Sequence, residues 1–455
     1  MSALPGGRLI AFYGDDFTGS TDVMEVLTFS GLPTVLFLDV PDAGDLARFA
    51  QCRGIGIAGT ARSRSPGWMR ENLAPTLRAL DGLGAPVLHY KVCSTFDSSP
   101  STGSIGCALD IGFAAAPRDW CAMVVAAPAL RRYQAFGNLF AAVDGVGYRL
   151  DRHPTMSRHP VTPMAEADLR LHLAQQTSEP VALVDLVALQ RGVGQAALDA
   201  ARAGGMRTVL FDVVDDSTLA EVGRLIWNGR GGGLFAVASS GLEYALVAHW
   251  RAAGLLPNIL PAPECGPVER LFVVSGSCSP RTAEQIAWAA RHGFEPIRLD
   301  VLAAVDPARA ACEVERAIAA ACAALSAGHD ALVFSADGPK DPAIGALRDA
   351  AATADCGIDD LQRRVAAALG EILACVVQRA GLRRAVIAGG DTSGEATGRL
   401  GVYALEAAMP LAPGGPLCRA HRRGQEPIEI ALKGGQIGGA DFFGQVKCGR
   451  PPASK

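Results

Sequence analysis

Leu9-Ile10-Ala11-Phe12-Tyr13-Gly14-Asp15-Asp16-Phe17-Thr18-Gly19-Ser20 is an apolar run that empties into a turn of glycine, acid and hydroxyl residues. Far downstream, Ala385-Val386-Ile387-Ala388 empties in the same way into Gly389-Gly390-Asp391-Thr392-Ser393-Gly394-Glu395. A strand that ends in small residues and hands over to a helix turns backbone N–H groups and the positive helix end toward an anion, while neighbouring carboxylates hold a metal or accept a proton. With one such junction near each end, the sequence predicts two α/β domains with largely parallel sheets facing a shared interdomain cleft. There a phosphorylated nucleotide would meet an acidic or hydroxylated small molecule, which points to phosphoryl transfer.

The rest of the chain follows the grammar of βα units. Strand-like runs fall at 9–13, 34–38, 54–58, 87–92, 123–126, 181–184, 208–212 and 234–238, with helical periods at 21–30, 66–80, 164–175 and 187–203 between them. Pro257, Pro261, Pro263 and Pro267, with Gly254 and Gly266, mark a linker. Domains are therefore expected over 1–253 and 269–455, joined by a Pro-rich linker at 254–268. The second half resumes with strands at 271–274, 296–299, 331–334, 385–388 and 428–432 and long helices at 307–325 and 359–379.

Composition narrows the function. A length of 455 residues with 49% apolar content exceeds what one core usually supports, and a net charge of −4 provides no general field for nucleic acid or an anionic membrane. No apolar stretch approaches a bilayer span, and the first residues lack an export pattern, so a cytoplasmic location is expected. The 12 cysteines are scattered without a Cys-x-x-Cys pair, which favours reduced, mostly buried thiols over zinc or disulfides. Only five of the 42 basic residues are lysines. Two of these, Lys91 and Lys433, close strand-like runs beside Gly/Ser/Thr turns, as anion contacts would; a solvated strand-end lysine is the ordinary alternative.

Asp15-Asp16 can divide the labour of a phosphoryl acceptor site: one carboxylate deprotonates a hydroxyl, and the other orients it or holds magnesium. A single Asp at such a place commonly just caps the next helix, with Ser20 or Thr21 as further cap candidates. An Asp-x-Asp nucleophile would set both acids on one side of an extended chain, and adjacent acids do not. Arg62 offers a planar fork for a carboxylate, and Ser94 and Thr95 offer hydroxyls beside Lys91. In the second half, the turn 275–280, Gly389 to Gly394 and Lys433-Gly434-Gly435 allow backbone donors to approach phosphate oxygens closely. Neither Gly-x-x-x-x-Gly-Lys-Ser/Thr nor a Gly-x-Gly-x-x-Gly in the first βα unit is present, which excludes a Walker P-loop and disfavours a nicotinamide dehydrogenase.

Taken together, Asp15-Asp16-Phe17-Thr18-Gly19, Thr60-Ala61-Arg62-Ser63, Tyr90-Lys91, Ser94-Thr95, Ser239-Ser240-Gly241, Ser275 to Pro280, Gly389 to Gly394 and Lys433-Gly434-Gly435 resemble the four-carbon acid sugar kinase family, in family order over nearly the whole chain. The resemblance implies an N-terminal acid-sugar-binding domain, a C-terminal nucleotide-binding domain, ATP and Mg2+ as cofactors, and a tetronate or 3-oxo-tetronate as substrate. A homodimer stays open. Carried over by position, Asp15, Asp16, Arg62 and Lys91 meet the sugar acid; of the paired acids Asp16 is taken as the base and Asp15 as the group that orients substrate or metal, with the reverse assignment open. Ser277, Ser279, Gly389, Gly390, Asp391, Thr392 and Gly435 meet the nucleotide. Where the family has Asp-Ser-Thr-Leu-Arg-Gly-Asn after the lysine, Cys93 replaces the first acid and Phe96-Asp97 replace Leu-Arg. Arg131 or Arg132 is a candidate to compensate for the lost arginine. The competing expectation is a nucleotide-binding sensor or effector that has lost turnover.

Overall fold

A strand that is apolar on both faces is stable only inside a sheet covered on both sides, and the computed structural model places the opening run there. It describes residues 3–143, 145–159, 161–257, 261–353 and 357–451, with the side chain of residue 391 set aside. The chain divides into two compact units, Met1–Leu260 and Pro261–Lys455.

In the first unit the strands are β1 (Ile10–Gly14), β2 (Thr34–Phe37), β3 (Gly54–Ala58), β4 (Val87–Lys91), β5 (Cys121–Met123), β6 (Arg132–Ala135), β7 (Asn138–Val143), β8 (Val146–Arg149), β9 (Val181–Val184), β10 (Thr208–Phe211) and β11 (Leu234–Ala238). Eight of them form a parallel sheet in the order β2-β3-β1-β4-β11-β5-β10-β9, and β6-β7-β8 form a separate antiparallel meander. All five residues of β1 are buried. Because the strands run parallel, their carboxyl ends lie on one edge, and residues leaving β3, β1 and β4 become neighbours.

The second unit repeats the scheme with β12 (Phe272–Ser275), β13 (Phe294–Arg298), β14 (Asp330–Phe334), β15 (Arg384–Ala388), β16 (Val402–Ala412), β17 (Gly415–Arg422) and β18 (Gln425–Lys433). The order is β13-β14-β12-β15-β18, all parallel, continued by antiparallel β17 and β16. Here β12, β15 and β18 are the adjacent strands whose ends converge.

Several expectations need correction. The first helix runs Phe17–Phe29, because Asp16 rather than Ser20 or Thr21 is its N-cap. The helix expected at 164–175 is only Leu169–Leu173: Asp168 caps it, and the preceding backbone is held in a bridge to Asn138. The period at 187–203 splits into Leu186–Gln190 and Gly194–Ala203 at Gly192, whose φ is 71°. The meander and β16–β17 were not foreseen. Among the described cysteines only Cys52, Cys107, Cys121 and Cys418 are buried, while Cys278, Cys312 and Cys448 are exposed. No helix among the described residues is long and apolar enough to cross a membrane.

The helices Asp216–Gly229 and Gly241–Ala252 approach closely enough that a Cβ on Gly223 would lie 1.9 Å from the Ala245 carbonyl oxygen. Backbone cannot yield there as a side-chain tip would, so Gly223→Ala is expected to cost about 1–3 kcal/mol. Urea unfolding of the full chain should show a lower midpoint for its first-unit transition; an unchanged midpoint would show that the helices separate freely.

Candidate active site residues in the two domains

The turn after β1 is pinned before its side chains are considered. The Asp15 N–H donates to the Lys91 carbonyl (2.9 Å), and the Asp15 carbonyl accepts from the Arg62 N–H (3.0 Å), fixing this residue between the end of β4 and the turn after β3. The carboxyl group then points into protein: Asp15 is 3% exposed, and its Oδ1 has no hydrogen-bond partner. Burial, reinforced by the neighbouring Asp16 charge, lifts its pKa to about 7 against the opposing pull of Lys91 and Arg62.

Asp16 has the opposite environment. In extended conformation it caps the first helix, accepting from the Gly19 N–H (2.9 Å) and the Thr18 hydroxyl (3.2 Å), and it pairs with Arg62 Nη1 at 3.1 Å. Gly19 is required by space: a Cβ there would lie 2.2 Å from Asp16 Oδ1 and 2.4 Å from Lys91 Nζ. Thus the ordinary capping role belongs to Asp16, and Asp15 holds the unpartnered carboxyl.

Lys91, the last residue of β4, is buried, so the solvated reading fails. Burial works against its ammonium, but Asp16, Asp15 and Asp22 more than compensate, and its pKa is raised. Asp22, on the first helix, is itself pushed up by burial and has an unpartnered Oδ1. Arg62, in the short turn Ala61–Ser63, spends its fork on the protein: Nη1 on Asp16, and Nη2 on Asp97 at 2.5 Å. Burial raises the pKa of Asp97, yet Arg62 and a 2.5 Å hydrogen bond from Thr95 outweigh this and hold it low. Thr95 also meets Cys93 Sγ at 3.1 Å, while burial keeps the Cys93 thiol protonated; Ser94 is half-buried on the same loop.

In the second domain the ends of β12, β15 and β18 build a cradle of hydroxyls and glycine backbone around one lysine, Lys433. Ser279 caps the helix Pro280–Ala290, receiving the Thr282 N–H at 3.1 Å, and donates its hydroxyl to the Gly435 carbonyl at 2.5 Å. Ser277 meets the Thr282 hydroxyl at 3.0 Å, and Lys433 Nζ donates to that same hydroxyl at 3.0 Å. Gly389, at φ 128°, donates its N–H to the Lys433 carbonyl (2.9 Å) and leads into the helix Gly390–Arg399. Thr392 is buried against Gly276, where a Cβ would lie 2.1 Å from its hydroxyl. Lys433 is fully buried, and burial brings its pKa down to about 8.

The structure therefore gathers Asp15, Asp16, Arg62, Lys91 and Thr95 within the first domain, and Ser277, Ser279, Gly389, Gly390, Thr392 and Gly435 within the second. The side chain of Asp391 lies outside the described residues. The sequence reading passed over Thr282, to which three cradle side chains turn, and Asp22, whose signal was an acid inside an otherwise largely apolar helix. It also gave Arg62 to a substrate carboxylate, whereas both of its terminal nitrogens are engaged by protein carboxylates.

Residues 10–246 match a family described as a sugar-binding N-terminal domain, and residues 272–443 match one described as a nucleotide-binding C-terminal domain. The chain is 53% identical over 451 residues to a 3-oxo-isoapionate kinase of Paraburkholderia graminis, covering 99% of this chain and 96% of that protein. It is 34% identical to a 3-oxo-tetronate kinase of Methylobacterium radiotolerans, covering 95% and 97% respectively. Among solved structures, a Haemophilus influenzae protein superposes with a TM-score of 0.72 at 25% identity, covering 96% of this chain and 99% of that one. A Salmonella typhimurium LT2 protein labelled a tRNA synthase gives 0.77 at 25% identity, covering 95% and 97%.

Asp15 binds its proton more tightly when folded (about 7) than in the unfolded chain (3.8), so ionising it opposes folding. Its contribution to stability is highest below the unfolded pKa and is lost as pH rises through about 7. Asp15→Asn should raise the calorimetric Tm above wild type at about pH 8, with the two converging near pH 4. Parallel Tm curves across that range would contradict the assignment.

Proposed function

Because the chain belongs to the four-carbon acid sugar kinase family, we propose that it transfers the γ-phosphate of ATP to a hydroxyl of a 3-oxo sugar acid. The 53% relative makes a 3-oxo-isoapionate-type acid the first choice, with 3-oxo-tetronates next. The observation that carries this reading is the desolvated Asp15 carboxyl beside a buried lysine, in a chain whose other domain presents hydroxyls, glycine amides and a buried lysine.

Asp15 takes the proton of the attacking hydroxyl, since a carboxylate with a pKa near 7 is matched to that task. Asp16 and Lys91 orient the acceptor, and the hydroxyls of Ser94 and Thr95 bound it. Ser277, Ser279, Gly389, Gly390, Asp391, Thr392 and Gly435 hold the nucleotide phosphates, with Lys433 as their cation. Catalysis is mostly positioning and charge neutralisation. Among the described residues no three His, Cys, Asp or Glu side chains converge on a metal position. Mg2+ suits such a site as a guest of the phosphates, because it accepts neutral hydroxyls of the Ser277 and Thr392 kind alongside phosphate oxygens. When bound, it supplies neutralisation of the transferring phosphoryl charge.

The non-catalytic alternative gains no support from the altered loop, because Asp97 pairs with Arg62 instead of leaving it exposed. Purified protein should release ADP in a sugar-acid-dependent manner; silence across 3-oxo-isoapionate and the 3-oxo-tetronates would end the kinase reading. Asp15→Asn should lower kcat about 10²–10⁴-fold with the nucleotide KM retained. Lys433→Met should instead raise the ATP KM about 10–100-fold, as expected for losing a charged hydrogen bond. An unchanged ATP KM would remove Lys433 from the phosphate site.

A further inference from the structure

An anionic substrate entering the first domain needs a cation that is not already neutralised, and the two cations assigned to it are occupied. Arg62 has Nη1 on Asp16 and Nη2 on Asp97, and Lys91 lies in the field of Asp15, Asp16 and Asp22. Resting on the kinase reading above, we infer that Arg132 binds the carboxylate of the sugar acid, through the guanidinium edge formed by Nε and Nη2.

The geometry of Arg132 supports this. Its Nη1 is directed at carbonyl oxygens, of Leu130 at 3.1 Å, Arg131 at 3.3 Å and Ala142 at 3.4 Å. Its Nε is buried without a hydrogen-bond partner, and Nη2 makes no hydrogen bond among the described residues. The Nε/Nη2 edge matches two carboxylate oxygens side by side. No carboxylate among the described residues pairs with it, and burial lowers its pKa despite the neighbouring Cys93. A half-buried cation left in that state is costly unless a ligand supplies the charge.

Its position agrees. Arg132 opens β6 directly after the loop that leaves the carboxyl end of β5, and its backbone is clamped to Ala127 by two hydrogen bonds of 3.1 Å each. The next turn of the meander is held by the paired backbones of Gln134 and Val213 (2.8 and 3.1 Å). Cys93, on the loop that carries Thr95 and Asp97, and His153 both lie near enough to interact with the guanidinium. Arg131 is no rival: it is exposed, in left-handed backbone at φ 56°.

The test compares wild type, Arg132→Ala, Arg132→Lys and Arg131→Ala as full chains. Each is given the sugar acid and its neutral amide, with kinetics and calorimetric binding measured together. Arg132→Ala should raise the acid KM about 10–100-fold, leave the ATP KM unchanged and abolish the preference for acid over amide. Arg132→Lys should keep part of that preference, and Arg131→Ala should keep all of it. A folded Arg132→Ala protein, with wild-type circular dichroism and Tm, that still prefers the acid by the wild-type ratio would overturn the assignment while leaving the kinase reading intact. A wild type that binds the acid and depends on Arg132 for it, yet forms no ADP, would retain this site and defeat the kinase. A wild type that binds neither compound would overturn both.

Discussion

The first domain is governed by a charge balance at low dielectric. Asp15, Asp16, Asp22 and Asp97 face Lys91 and Arg62 in a region largely closed to water. Four carboxylates cannot all ionise against two cations there, because each unpaired charge keeps most of its desolvation penalty. The geometry decides which acids give way. Asp16 has an N-cap and an arginine as partners, and Asp97 has an arginine and a threonine hydroxyl that hold its pKa low. Asp15 and Asp22 have unpartnered oxygens, and both are shifted toward the neutral form. A carboxyl able to take a proton near neutral pH thus arises from crowding among neighbours, Asp16 among them.

The fold was legible where backbone geometry alone fixes it. Apolar runs closed by turn residues marked the parallel strands, so 54–58 and 234–238, which lie inside the sheet, and 181–184, its half-buried edge, were read to the residue. The antiparallel additions escaped notice for the same reason: β16 alternates buried and half-buried positions, and β8 is largely exposed, so neither forms an apolar block. Helix starts were misjudged where the decisive cap, Asp16 or Asp168, could only be chosen with the chain folded.

The site followed the same division. Asp15 and Lys91 in the first domain, and Ser277, Gly389 and Gly435 in the second, stand at or just past strand ends, and within each domain the parallel strands bring those ends to one edge whatever else surrounds them. Partner choice is a tertiary fact. The Arg62–Asp97 pair spans 35 positions, and the departure of the loop from the family pattern looked like damage until that pair was seen. With Asp97 there, Arg62 serves as an internal strut between two acids. On the inference above, the carboxylate-binding charge comes instead from Arg132, at the start of the meander, on a backbone fixed by its own bridge.

The two domains also place opposite demands on protonation. In the proposed reaction Asp15 has to lose its proton to act on a hydroxyl, which favours pH above about 7, and Lys433 has to keep its proton to hold a phosphate, which favours pH below about 8. Both values come from burial, acting in opposite directions on an acid and an amine. Phosphate arriving at Lys433 stabilises its charged form and extends the upper limit, while the neutral hydroxyls of Ser277, Ser279 and Thr282 add donors without adding charge.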